Sequence, residues 1–147
     1  VTKRYAERLA QAADADLFEI KPTVPYTDAD LNWQNSNSRS SIEMKNPDSR
    51  PEIVEKLSDM DNYDTVFVGF PIWWYVAPTI IDTFLESYDF SGKTVVPFAT
   101  SGGSGMGKTA DVLRQVCPAA DIKDGKVLNN MTDEKIKQWL NEKSFWN

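Results

Sequence analysis

Two short apolar runs limit the possible folds more than anything else in this chain. The first is the start of Val66-Phe67-Val68-Gly69-Phe70-Pro71-Ile72-Trp73-Trp74-Tyr75, and the second is Pro97-Phe98-Ala99 leading into Thr100-Ser101-Gly102-Gly103-Ser104-Gly105. Neither alternates polar with apolar residues. Unbroken apolar strands of this length are those of a parallel sheet covered by helices on both faces. The first run ends in a cluster of aromatic residues, the second in small residues whose backbone N–H groups can be approached closely. Ligands of open α/β sheets bind outside the carboxyl ends of the strands. A flat aromatic ligand with a polar edge suits such a pair of loops.

The rest of the chain supplies the helices. Tyr5, Leu9, Ala12 and Ala13 have the spacing of an amphipathic helix over 3–13, and Leu17, Phe18 and Ile20 then read as a short strand stopped by Pro22. Residues 23–50 are rich in Asn, Ser, Asp and Pro, a long polar loop for a compact domain. Pro51 suits a first helical position, with Ile53, Val54, Leu57 and Met60 as the buried stripe. A strand follows over Tyr63 to Phe70, and Pro78 opens a helix with Ile80, Ile81, Phe84, Leu85 and Tyr88 inward. Thr94 to Thr100 is the next strand, and Val112, Leu113 and Val116 mark a helix after the glycine loop. Residues 121–129 read as a weak last strand, and Thr132 caps a final helix carrying Ile136, Trp139 and Leu140. Alternating strands and helices imply parallel pairing with right-handed crossovers, hence one three-layer α/β/α sandwich over 1–147.

Composition removes several chemistries. There is no histidine, so no imidazole base, histidine triad or HExxH zinc site is available. Cys117 is the only cysteine, which excludes an internal disulfide and a thiolate zinc cage and reads as a packed thiol at a helix end. The formal net charge of −6 argues against nucleic acid and suits either a solvated surface or an acidic face for basic redox partners. No apolar run reaches the roughly 20 residues that span a bilayer. One unpaired cysteine makes the cytoplasm the default location.

Gly102 to Thr109 reads G-G-S-G-M-G-K-T and satisfies the phosphate-loop pattern G-x-x-x-x-G-K-[ST]. On that reading Lys108 would reach the outer phosphate oxygens and Thr109 would hold magnesium. The strand ending at Phe70 supplies no carboxylate as second metal ligand, which weighs against a triphosphatase. The competing reading makes Thr100 to Gly105 the rim of an aromatic cofactor.

Longer stretches carry a resemblance. Tyr26-Thr27 with Asp30-Leu31-Asn32-Trp33, Ser38-Arg39-Ser40-Ser41-Ile42-Glu43-Met44, and Ser49-Arg50-Pro51-Glu52-Ile53 resemble the small flavodoxin-like flavoproteins of bacteria. So do Gly69-Phe70-Pro71-Ile72-Trp73-Trp74, the stretch Phe84 to Lys93, and Pro97 to Gly105. The resemblance implies a flavodoxin-like fold with strand order 2-1-3-4-5, flavin mononucleotide (FMN) as cofactor, and electron transfer as the activity. Carried onto this chain, Pro71, Ile72, Trp73, Trp74 and Tyr75 would flank the isoalloxazine ring. Thr100, Ser101, Gly102, Gly103, Ser104 and Gly105 would line its pyrimidine side.

One departure matters. A flavodoxin-like chain begins with a hydrophobic strand and a phosphate loop at the start of the first helix. This sequence matches only from the end of that loop, where Thr2 alone corresponds to a phosphate-contacting residue and Lys3 and Arg4 read as helix-surface charges. The missing strand would be central, so its absence should leave unpaired backbone edges or a gap near 10 Å, roughly two inter-strand spacings. An upstream segment is expected to complete the sheet, and the 147 residues alone are expected to bind FMN poorly. The leading function is an FMN-dependent electron carrier or small NAD(P)H/quinone-type reductase, with a redox protein or a small molecule as acceptor. The alternatives are a fold that has lost its cofactor and serves binding or regulation, and the phosphate-loop nucleotide binder.

Overall fold

The computed structural model describes residues 2–54, 56–73, 76–101 and 105–143. Its frame is two adjacent parallel strands, β1 (Thr65–Pro71) and β2 (Thr94–Thr100), in register from Thr65↔Thr94 to Pro71↔Thr100. Successive β2 side chains go to opposite layers, as the two-residue repeat of a strand requires. Val95 and Ala99 enter a core with Val68, Phe70, Ile81, Phe84, Leu85 and Leu113, under α3 (Thr79–Glu86) and α4 (Thr109–Val116). Val96 and Phe98 enter a second core with Leu9, Leu128, Ile136, Trp139 and Leu140, under α1 (Thr2–Ala13) and α5 (Asp133–Lys143). The expected sandwich of a parallel sheet between helix layers is therefore present. Gly69 is part of that packing: a Cβ there would lie 2.2 Å from the Phe98 ring.

The last strand is broken in two, and Pro97 explains why. Odd-numbered residues of β2 point their backbone groups away from β1: Lys123 N–H donates to Val95 O at 2.9 Å, and Leu128 N–H to Ala99 O at 2.8 Å. Between them Pro97 has no N–H to offer. The strand accordingly splits into β3 (Asp121–Ile122) and β4 (Lys126–Val127), both parallel to β2. Gly125 makes the connection at φ +77°, where a Cβ would lie 2.1 Å from the Pro97 carbonyl oxygen.

Three expectations need correction. The described residues of 51–59 form no helix. Thr23 N–H donates to Glu52 O and Val54 N–H to Lys21 O, both at 2.8 Å, and Pro22 and Ile53 form an antiparallel bridge. Leu57 N–H donates to the Tyr88 hydroxyl at 2.7 Å rather than back along a helix. Val54, assigned to the buried stripe, is 55% exposed, and only the short 3-10 turn Met60–Asn62 follows. Conversely, the loop over 23–50 contains a helix, α2 (Arg39–Lys45), whose Ser38 cap accepts from Ser41 N–H at 3.4 Å.

The third correction concerns residues 17–20, which form no strand. Among the described residues β1 pairs with β2 alone, and its other edge faces an open groove of about 760 Å³. Phe18, Ile20, Leu57, Met60, Val66 and Val68 are among the residues that line it. A strand at 17–20 has no neighbour within hydrogen-bonding reach across that groove. Leu17 is left 54% exposed. The groove lies where the resemblance puts a further strand, between 17–20 and β1.

Candidate functional site

Both sequence-predicted loops leave the sheet side by side. Pro71 and Thr100 are register partners at the ends of β1 and β2, and Ile72 N–H donates to Thr100 O at 2.8 Å, one step beyond the strands. Adjacent strands are about 4.8 Å apart, so the aromatic and the small-residue segments begin as neighbours. Trp73 and Val76 then exchange backbone hydrogen bonds, N–H to O, at 2.9 and 3.1 Å, which closes the base of the aromatic loop. Trp74, Tyr75, Gly102, Gly103 and Ser104 lie outside the described residues. Pro71, Ile72, Trp73 and Ser101 are half-buried, Thr100 is buried, and Gly105 is exposed.

Thr2 joins the same end of the sheet. Its hydroxyl shares a 2.7 Å hydrogen bond with the Thr100 hydroxyl, so the first turn of α1 starts against the end of β2. That turn carries no acidic residue. Its first N–H groups have no partner within the helix and carry the positive end of the helix dipole.

Sequence reasoning did not assign to the site Tyr26, which meets Trp73, or the two residues that hold Tyr26. The Tyr26 ring stands edge-on to Trp73, with centroids 5.5 Å apart and planes at 79°. Arg39 lies over the Tyr26 ring, its guanidinium carbon 3.9 Å from the ring centroid. Glu43 accepts from both, from the Tyr26 hydroxyl at 2.5 Å and from Arg39 Nε at 3.0 Å. Arg39 and Glu43 are one turn apart on α2, so the unpredicted helix is what braces this aromatic wall. Burial and the adjacent Glu43 carboxylate hold the Tyr26 phenol well above its ordinary range, keeping it a neutral donor. The Ser38-x-x-Ser41 spacing was the available signal for this helix, and the polarity of the surrounding loop hid it.

On the opposite rim, Asn129 holds the start of the glycine loop. Ser101 N–H donates to Asn129 Oδ1 at 2.8 Å, and Asn129 Nδ2 donates to Ser101 O at 2.9 Å. The Ser101 N–H is therefore committed within the protein.

The phosphate-loop reading of Gly102 to Thr109 fails on geometry. Thr109 is 0% exposed at the start of α4, inside the core, so it cannot hold a solvent-facing magnesium. Thr109 N–H closes a turn onto Met106 O at 3.0 Å, and Gly107 takes φ +53° within that turn. Cys117 is buried at the end of α4, and burial pushes its thiol up, as suits a packing residue. Among the described residues no cluster of acidic or cysteine side chains could hold a metal, and no helix is long and apolar enough to cross a membrane.

Comparison with known proteins agrees with this architecture. A flavoprotein candidate of Bacteroides eggerthii has a crystal structure that superposes with a TM-score of 0.92 at 50% identity, over 96% of this chain and 89% of that one. The flavoprotein of Lactobacillus acidophilus, crystallised in complex with FMN, superposes with a TM-score of 0.67 at 25% identity, over 82% of this chain and 80% of that one. In sequence, 88 residues are 27% identical to the uncharacterised NAD(P)H oxidoreductase YcaK of Escherichia coli. That match covers 58% of this chain and 40% of the length of YcaK. A family model described as Flavodoxin matches residues 1–143. The chain belongs to the flavodoxin family.

Proposed function

We propose that this protein binds FMN at the carboxyl end of its sheet, between residues 71–76 and 100–105, and serves in electron transfer. The observation that carries the reading is the side-by-side exit of the two loops, with a half-buried indole on one braced edge-on by Tyr26. Two relatives support it, one crystallised in complex with FMN and the other an uncharacterised NAD(P)H oxidoreductase. When bound, the flavin accepts and passes on electrons.

The residues present fit the ring. Trp73, with the aromatic residues that follow it in sequence, would flank the isoalloxazine and exclude water from one face, while Tyr26, Arg39 and Glu43 fix the angle of that wall. The 100–105 segment would meet the polar edge. For the phosphate the described residues offer only Thr2 and the first turn of α1.

A visible absorption spectrum and a flavin-fluorescence titration test the proposal. Saturable quenching with a shifted oxidised-flavin spectrum is expected, and flavin that stays free at millimolar protein would refute it. Steady-state turnover of NAD(P)H with a quinone then separates a reductase from a carrier, since a carrier holds flavin without turnover. The open groove and the thin phosphate donors favour one second reading, a flavodoxin fold used for binding without flavin. Under that reading the protein would take up no FMN.

A further inference from the structure

The Asn129 side chain does what a strand would otherwise do. Backbone groups of Val95 and Ala99 on β2 are met by Lys123 and Leu128, and Ser101 is the next odd-numbered residue in that alternation. The last strand has ended by then, because β4 stops at Val127. The Asn129 carboxamide takes the next rung instead, accepting from Ser101 N–H at 2.8 Å and donating to Ser101 O at 2.9 Å. A primary amide is the side-chain group that carries a donor and an acceptor with the spacing of a peptide.

The rung also closes a circuit. Asn130, at φ +63°, donates its N–H to the Tyr5 hydroxyl of α1 at 2.8 Å. Arg8 of α1 donates to Met131 O at 2.6 Å and pairs with Asp133 at 2.7 Å. Thr2, at the head of the same helix, meets Thr100. The sequence of contacts Thr2–Thr100, Ser101–Asn129, Asn130–Tyr5 therefore returns to α1. It links the segment expected to meet the flavin edge with the helix start expected to meet its phosphate.

From this circuit we infer that Asn129 is the positioning residue of the flavin site, holding Ser101, where the small-residue segment begins, against the strand end that meets the first turn of α1. The inference rests on the FMN reading above. It assigns Asn129 no contact with the flavin, since its amide is spent on Ser101.

The test compares wild type with Asn129→Ala and Asn129→Asp, measuring FMN affinity by fluorescence at pH 8 and pH 5, urea stability, and amide exchange at Ser101 without flavin. Wild-type binding comes first, and if it is absent the FMN reading fails and the inference falls with it. Given wild-type binding, Asn129→Ala should weaken FMN about tenfold, equivalent to about 1.4 kcal/mol, and should speed exchange at Ser101. Asn129→Asp should be at least as weak at pH 8, where an ionised carboxylate faces the Ser101 carbonyl. At pH 5 it should recover in part, because the facing Ser101 carbonyl oxygen raises the introduced carboxyl above its ordinary value of about 3.9, and once protonated it again donates to that carbonyl and accepts from the N–H. Unchanged affinity in Asn129→Ala would overturn the inference. So would equal losses in both variants that follow urea stability and show no recovery at pH 5, which would reduce Asn129 to a purely structural bond.

Discussion

Replacing Gly125 by alanine separates two effects that usually coincide. Gly125 sits at φ +77°, and an added Cβ would lie 2.1 Å from the Pro97 oxygen and 2.9 Å from its carbonyl carbon. Gly92 has nearly the same φ, +76°, but nothing within 4 Å of the added atom. The left-handed conformation costs an L-residue about 1–2 kcal/mol, which is all that Gly92→Ala should lose. Gly125→Ala adds the overlap with a backbone carbonyl that cannot rotate away, and overpacking of this kind costs about 1–3 kcal/mol more. The expected total is about 2–5 kcal/mol. Gly105, with open space around it, serves as a control expected within about 0.5 kcal/mol of wild type. Urea unfolding followed by tryptophan fluorescence gives each difference from the shift in midpoint at constant slope. If Gly125→Ala and Gly92→Ala lose the same stability, the close approach of Gly125 to the Pro97 carbonyl adds nothing to the cost, and the packing argument at that connection is wrong.

Two further outcomes follow from the site and the core. Burial raises the Asp82 carboxyl from 3.8 to about 6, even with Arg50 Nη1 at 3.8 Å. Because the folded form holds the proton more tightly, its contribution to stability is complete below about pH 4 and is lost as pH rises through 6. Asp82→Asn should therefore gain stability over wild type at pH 7.5 but not at pH 4, and an unaltered pH profile by urea midpoint contradicts this. Riboflavin, which lacks the phosphate, should bind these 147 residues only about two- to fivefold more weakly than FMN. A helix N-terminus contributes about 0.3–1 kcal/mol to an exposed anion, and a hundredfold preference measured by fluorescence titration would reveal phosphate donors beyond Thr2 and α1.

Elements defined by packing against the sheet were legible in the sequence; those defined by specific polar partners were not. β1, β2, α1, α3, α4 and α5 all carry apolar residues at the period of their element, and their burial follows from that. Ile53, Val54 and Leu57 have a helical spacing too, yet the backbone of 51–57 finds partners at 21–23 and Tyr88, and distant acceptors are invisible to periodicity. The apolar pattern at 17–20 was read as a strand, but a strand needs a neighbour as well as a pattern, and none flanks it among the described residues. At the proposed site, Trp73, Thr100 and Thr2 were named from the sequence through their position and through family likeness. Asn129 and Arg39 were not named, because each would act through another residue and neither type is diagnostic in a loop. The phosphate-loop pattern was present in the letters and absent in space, since Thr109 belongs to the core.

The central claim is that a flavin ring sits between the loops that follow β1 and β2. Amide chemical shifts of an isotope-labelled chain titrated with FMN test it most directly. The account predicts the largest changes at 72–76, 100–105 and Thr2, with smaller ones at Tyr26 and Asn129. Changes confined to the groove along β1, or to Gly107–Thr109, would put the ligand elsewhere and contradict it.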